Sequence, residues 1–138
     1  MSASVFCFAL IRKITIVVFL IQIVLLFSCK KEAGPDPDII APVVTITSPT
    51  NNQIFDGAST VNVEAMITDN SKLEEIHLEI LNKATNTLYT HEHFMPTGSS
   101  YHLTSSFQLP SQAEFEITIE GVDETGNHEE ASVTISAN

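Results

Sequence analysis

The feature that most constrains the fold is an alternation of apolar and polar residues with a period of two. Its clearest example lies at residues 61–68, where Val61, Val63, Ala65 and Ile67 occupy every second position. A period of two places alternate side chains on one face of an extended chain. These residues therefore predict a strand with one buried and one exposed face.

The same alternation recurs from residue 42 onwards, and clusters of Asn, Asp, Gly, Pro and Ser separate its segments. We therefore predict seven short strands and an all-β fold. The predicted architecture is a seven-stranded antiparallel immunoglobulin-like sandwich that spans residues 42–138. The segments centre on residues 42–47, 61–68, 76–80, 87–94, 101–109, 115–119 and 131–135.

Residues 71–83 fit two interpretations. A capping box at residues 71–74 would start a helix, which would make the fold α+β. Against this, Ile76, Leu78 and Ile80 occupy every second position, as in the neighbouring segments. We choose the strand, because sheet context outweighs local propensity.

The composition excludes some partners. The chain has 138 residues, which is enough for one domain, and a formal net charge of −11. An acidic surface repels a phosphate backbone, so we expect no nucleic acid partner. The two cysteines, Cys7 and Cys29, both precede the alternating region, so its stability must come from packing without a disulfide.

The first 28 residues have the composition of a signal peptide. Arg12 and Lys13 precede an apolar run at residues 14–27. As a helix this run would be about 21 Å long, shorter than a bilayer core of about 30 Å. It ends in Leu-Phe-Ser-Cys at residues 26–29, which resembles the signal of bacterial lipoproteins. The resemblance implies that residues 1–28 are removed and that Cys29 carries acyl chains such as palmitate; the alternative is an uncleaved anchor helix.

Residues 29–41 are then the lipidated cysteine and a flexible tether, because Pro, Gly and charged residues replace the apolar run. By the same resemblance, Lys30 directly after the cysteine favours the outer membrane over the inner one. We therefore expect a cell-envelope protein that is held at the outer membrane by its lipid. It would face either the periplasm or the cell surface.

Several stretches of the body resemble the bacterial immunoglobulin-like and fibronectin-III-like modules of surface proteins. They are PVVTITSPTNN, VNVEAMITDNSKLEEIHLEI, FEITIEGVDETGN and SVTISA. The sequence THEH at residues 90–93 also resembles a histidine-bearing lipoprotein family of unknown function from Bacteroidetes. These resemblances imply carriage, adhesion or accessory roles in glycan systems, with a protein or glycan partner. They do not imply catalysis.

Three histidines form a candidate metal site. His91 and His93 are two residues apart and so share one face of their strand, and His77 lies on the preceding strand. Imidazole nitrogens bind zinc and copper, so the three side chains predict such a site if the hairpin register brings them together. The alternative is that they are ordinary exposed histidines, as we expect for His102 and His128.

A second candidate site lies where the loops after the second and sixth predicted strands meet at one pole. Carboxylate and amide oxygens are the ligands that calcium prefers. Asp and Asn also form turns, so turn formation alone is the alternative. The residues concerned are Asp69, Asn70, Asp123, Glu124 and Asn127.

The predicted function is that of a non-enzymatic, membrane-anchored binding or accessory module of the cell envelope. No serine lies in a nucleophile elbow, and no HExxH-type motif is present. Alternatives are a metal-binding lipoprotein, with zinc, copper or calcium as its only cofactor, and a structural spacer. The tether would leave from the pole of Asp69 and Asp123. We therefore expect a partner at the opposite pole, formed by the loops at 48–57, 83–86 and 110–111, or at an exposed sheet edge.

Overall fold

A computed structural model describes Gly34 and residues 36–138. The predicted signal peptide, residues 1–28, and the lipidation site Cys29 lie outside the described residues. The described part of the chain forms eight strands and contains no helix. The strands are β1 (Val43–Ser48), β2 (Gln53–Phe55), β3 (Ser59–Thr68), β4 (Leu73–Asn82), β5 (Thr87–Phe94), β6 (Ser100–Leu109), β7 (Glu114–Asp123) and β8 (His128–Ala137).

The strands form two open sheets that share one apolar core. One sheet has the order β1-β3-β6, and the other has the order β2-β8-β7-β4-β5. Buried and more exposed side chains alternate most clearly in β3, β6 and β7, as the period of two requires. The buried side chains of both sheets form a single cluster. Phe115 is the largest side chain that is fully buried in it.

The prediction of an all-β fold is confirmed, but the prediction of seven antiparallel strands is wrong. The additional strand is β2, which pairs with β8 in parallel, with Gln53 opposite Ile135. The backbone N–H of Asn52 also donates to the carbonyl oxygen of Thr134 at 2.7 Å. Three residues are too few to show an alternation, and the partner strand is the last in the chain. The sequence pattern therefore indicated only a loop here.

The ambiguous segment is a strand, as predicted. In β4 the side chains of Ile76, Leu78 and Ile80 are buried. The strand pairs with β5 on one side and with β7 on the other, so its backbone groups find partners on both sides. This central position in the sheet outweighs the capping box at residues 71–74.

The two sheets approach each other closely at Gly121 in β7. An added Cβ at this position would lie 2.9 Å from Cγ2 of Ile67, on the facing strand β3. Ile67 is fully buried and branched at Cβ, so its side chain has little freedom to move away. Gly121 is therefore required by packing.

We expect Gly121→Ala to lower the free energy of unfolding by about 1–3 kcal/mol, because an extra methyl group overfills a packed core. Urea unfolding of the purified chain measures this loss. The variant Ile67→Ala removes the clashing atom, so the glycine substitution should cost less in that background. An equal cost in both backgrounds would show that the contact with Ile67 is not the cause.

Candidate metal centre

The pairing of β4 with β5 places five potential metal ligands on one exposed sheet face. His77 lies opposite His93, and Glu79 lies opposite His91. Glu75 precedes His77 by two residues and therefore points to the same side. In β4 the hydrophobic side chains of Ile76 and Leu78 lie between these residues and are buried, so the polar face of this strand is a direct product of the alternation.

Glu75, His77 and His93 form the tightest group. The Glu75 Oε2 atom lies 3.3 Å from His77 Nε2, and Glu75 Oε1 lies 3.6 Å from His93 Nε2. One ligand atom from each residue lies within 4.8 Å of the other two. Ligands on one tetrahedral zinc ion, with bonds of about 2.0–2.1 Å, lie roughly 3.3–3.4 Å apart. The two distances from the Glu75 carboxylate are therefore close to those between ligands on one ion.

The two rings of this group are stacked. Their centroids lie 4.6 Å apart and their planes differ by 9°. His77 is the less exposed of the two, with 24% of its side chain accessible against 43% for His93. Each ring has its Nε2 atom within 3.6 Å of the Glu75 carboxylate, so both rings present this nitrogen to the same side chain.

His91 lies on the other side of His77. Its Nε2 atom is 3.4 Å from His77 Nδ1 and 3.9 Å from Glu79 Oε1. The structure therefore brings together all three histidines that the sequence singled out. It adds Glu75 and Glu79, which the sequence analysis missed.

The surrounding face is acidic. Glu120 in β7 lies opposite His77, and Glu130 in β8 lies opposite Glu120. Directly opposite residues point to the same side of a sheet, so a row of carboxylates continues from the histidines. This charge favours cations over anions, and imidazole ligands favour zinc or copper over calcium or magnesium.

The pole predicted for calcium contains a second group of carboxylates. One oxygen each of Asp38, Asp69 and Asp123 lies within 4.8 Å of the others. Asp38 was assigned to the tether by the sequence analysis. Here the Asn70 Nδ2 group donates to Asp38 Oδ2 at 2.7 Å, and Asn127 Nδ2 donates to the Asp38 carbonyl oxygen at 3.1 Å. The segment before β1 is thus bonded to this pole.

Asp123 is fully buried and forms a turn with its neighbours. Its Oδ1 atom accepts hydrogen bonds from the backbone N–H groups of Thr125 and Asn127, both at 2.8 Å. Its Oδ2 atom accepts a bond from Asn127 Nδ2 at 2.7 Å. Burial raises the pKa of Asp123, but the hydrogen bonds from Asn127 and Thr125 outweigh it and hold the pKa below its usual value. This geometry supports the turn interpretation.

Two further residues of the calcium prediction, Asp69 and Glu124, differ in their contacts. Asp69 accepts two bonds from Ser71 through Oδ1, whereas its buried Oδ2 atom has no partner among the described residues. Glu124 is exposed and bonds to Lys72 only through its backbone. Calcium at this pole stays a prediction.

One shallow cavity lies on the outer side of the three-stranded sheet. It has a volume of about 330 Å³ and is lined by Asn62, Val63, Glu64, Thr104, Ser105 and Ser106. Ser105 donates to Glu92 at 2.9 Å. The lining includes no histidine. Ser105 lies opposite the buried Val63 in the ladder, so its hydroxyl points to the core side of the sheet and away from the cavity. His102 and His128 are exposed, as expected.

Within residues 36–138, no helix is long and apolar enough to cross a membrane.

The family described as a domain of unknown function, DUF4625, has a model that matches residues 27–137. No curated protein matches the chain.

We expect Asp123→Asn to lower the free energy of unfolding at pH 7 by about 1–3 kcal/mol, because the amide cannot accept all the bonds that the carboxylate accepts. A carboxyl with a lowered pKa stabilises the fold above its unfolded value of about 3.9, and this contribution is lost as the pH falls through the folded value. The difference between the two proteins should therefore shrink below about pH 4. Urea unfolding across this range measures it.

The control is Asp56→Asn, at an exposed turn position. We expect it to match the parent protein at every pH. Parallel pH profiles for Asp123→Asn and the parent protein would contradict the assignment of this stabilisation to the Asp123 carboxylate.

Proposed function

The chain belongs to the DUF4625 family, whose description names no activity, and from its surface chemistry we propose a non-enzymatic cell-envelope module that binds zinc or copper. The observation that carries this proposal is the group Glu75, His77 and His93, with spacings near those of ligands on one ion. Metal binding was the second of the predicted functions. The geometry of the β4–β5 hairpin now favours a metal ion as the ligand that the predicted module binds.

The two strands supply the ligands in complementary ways. β4 provides the carboxylate and the less exposed imidazole, and β5 provides the second imidazole across the ladder. The backbone hydrogen bonds of the ladder fix both strands before any ion binds, so little ordering entropy opposes binding. Three protein ligands also leave a fourth position open on the solvent side.

A binding role fits this setting better than catalysis. The ligands lie on an open sheet face, where about a quarter to a half of each side chain is accessible. Metal catalysis works best in a shaped cavity that excludes water. A flat and acidic face instead suits the capture or delivery of an ion, or metal-dependent contact with a protein or glycan partner.

The location belongs to the same proposal. The lipoprotein-like motif at residues 26–29 supports lipidation of Cys29 and attachment to the outer membrane. The two facing open sheets support an immunoglobulin-like sandwich as the finer description of the fold. Asp38 is bonded to the pole of Asp123, so the chain enters the domain at the pole from which the tether is predicted to leave.

We expect zinc to raise the melting temperature of the full chain, purified in detergent and freed of metal. An ion at 100 times its Kd adds about 2.7 kcal/mol to the free energy of unfolding, which corresponds to several degrees. His77→Gln and His93→Gln should abolish most of this shift, and Glu75→Gln should reduce it. The matched control His102→Gln lies on the other sheet and should behave as the parent protein.

Two results would count against a metal site here: no shift with zinc or copper, or equal shifts in the parent and the His77→Gln and His93→Gln variants. The same melts with calcium address the other pole. A calcium shift that is lost in Asp69→Asn would support that prediction, and no calcium shift would remove it.

The anchor has its own test in a bacterial host. We expect the parent chain to incorporate labelled palmitate and to remain in the membrane fraction. Cys29→Ala should incorporate no label and should not be cleaved before residue 29, because the acylated cysteine is the implied substrate of that cleavage. Cys7→Ala is the control, and label in Cys29→Ala would contradict the assignment.

A further inference from the structure

The exposed sheet face that carries Glu75, His77, Glu79, His91 and His93 is called the histidine face. We infer that this face holds two metal subsites and that His77 bridges them through its two ring nitrogens. This inference rests on the proposed function and extends it. The first subsite is the group Glu75, His77 and His93. The second consists of His77, His91 and Glu79.

The orientation of the His77 ring is the first argument. Its Nε2 atom lies 3.3 Å from Glu75 Oε2, and its Nδ1 atom lies 3.4 Å from His91 Nε2. The two nitrogens of an imidazole point away from each other, so one ion cannot bind both. Each nitrogen of His77 therefore has its own set of neighbouring ligands.

The order of residues in the ladder is the second argument. β4 presents Glu75, His77 and Glu79 at every second position, and β5 presents His91 and His93 in the same way. Antiparallel pairing places His93 beside the first half of this row and His91 beside the second half. Each subsite thus takes one glutamate from β4 and one histidine from β5, and the shared residue lies in the centre.

His91 joins the second subsite together, whereas Glu75 joins the first. His91 Nε2 lies 3.4 Å from His77 Nδ1 and 3.9 Å from Glu79 Oε1. In the first subsite the two distances are 3.3 Å and 3.6 Å, and both end at the Glu75 carboxylate. Of the two groups, only the first has one ligand atom from each residue within 4.8 Å of the other two, so the second subsite is the more open one. A hydrogen bond between the His77 and His91 rings would also explain the 3.4 Å distance. In that case His91 would only orient His77 toward the first ion.

The charges on the face can accommodate two divalent ions. A neutral imidazole carries one N–H proton, and the second ion takes the place of that proton, which passes to solvent. The bridging ring then carries one negative charge. Glu75 and Glu79 add one each, and Glu120 lies opposite His77 in the adjacent strand. Repulsion between the ions is offset by these charges.

Copper(II) tests the inference, because a bridged pair of copper ions couples magnetically and weakens the ordinary EPR signal of isolated copper. The protein purified in detergent is dialysed against copper(II), and its bound ions are counted. A variant with all three substitutions, His77→Gln, His91→Gln and His93→Gln, gives the background from other copper-binding groups. We expect two ions above this background and a coupled signal.

The single variants distinguish the subsites. His91→Gln should bind one ion with an uncoupled signal, and His93→Gln should also keep one. His77→Gln should lose the coupling and weaken binding at both subsites at least tenfold, whereas His102→Gln should match the parent chain. One ion per parent chain, or two ions without coupling, would overturn the bridge and leave the first subsite in place. No copper or zinc above background would overturn the proposed function itself.

Discussion

The features of the histidine face depend on the antiparallel register between β4 and β5. This register places His77 opposite His93 and Glu79 opposite His91. A slip of one residue would turn the β5 histidines toward the core side of the sheet, because successive side chains alternate between faces. Such a slip is opposed by the burial of Ile76 and Ile80, which fixes the faces of β4, and by the pairing of β4 with β7. The hydrophobic core therefore determines the chemistry of the opposite surface.

Much of the fold follows from the sequence because burial of one sheet face leaves a direct trace in the chain. The alternation identified the long strands, including β4, where a capping box suggested a helix. The short strand β2 was missed, because its pairing with β8 joins residues about 80 positions apart and depends on backbone bonds such as Asn52 to Thr134. Local pattern cannot reveal a contact whose energy comes from a distant partner.

The sequence predicted the kind of site, a group of histidines, but not the full set of residues that form it. Spacing alone placed His91 and His93 on one face, whereas their distance from His77 required the register of the hairpin. Glu75 and Glu79 could have been found, since they alternate with His77 on the same strand. Asp38 could not, because a residue in a Pro-rich and Gly-rich segment gives no sign that it returns to a turn almost 90 residues later.

The position of β5 at the edge of its sheet has a further consequence. β5 pairs with β4 alone, so one side of its backbone has no strand beside it in the described part of the chain. Edge strands open more readily than central ones, and a free edge can accept an added strand from another protein. An ion held between His77 and His93 would fasten this edge to the sheet through side chains as well as backbone bonds. Metal binding would then add to the rigidity that the backbone ladder already gives to this edge, and so to the template that the domain offers for strand addition.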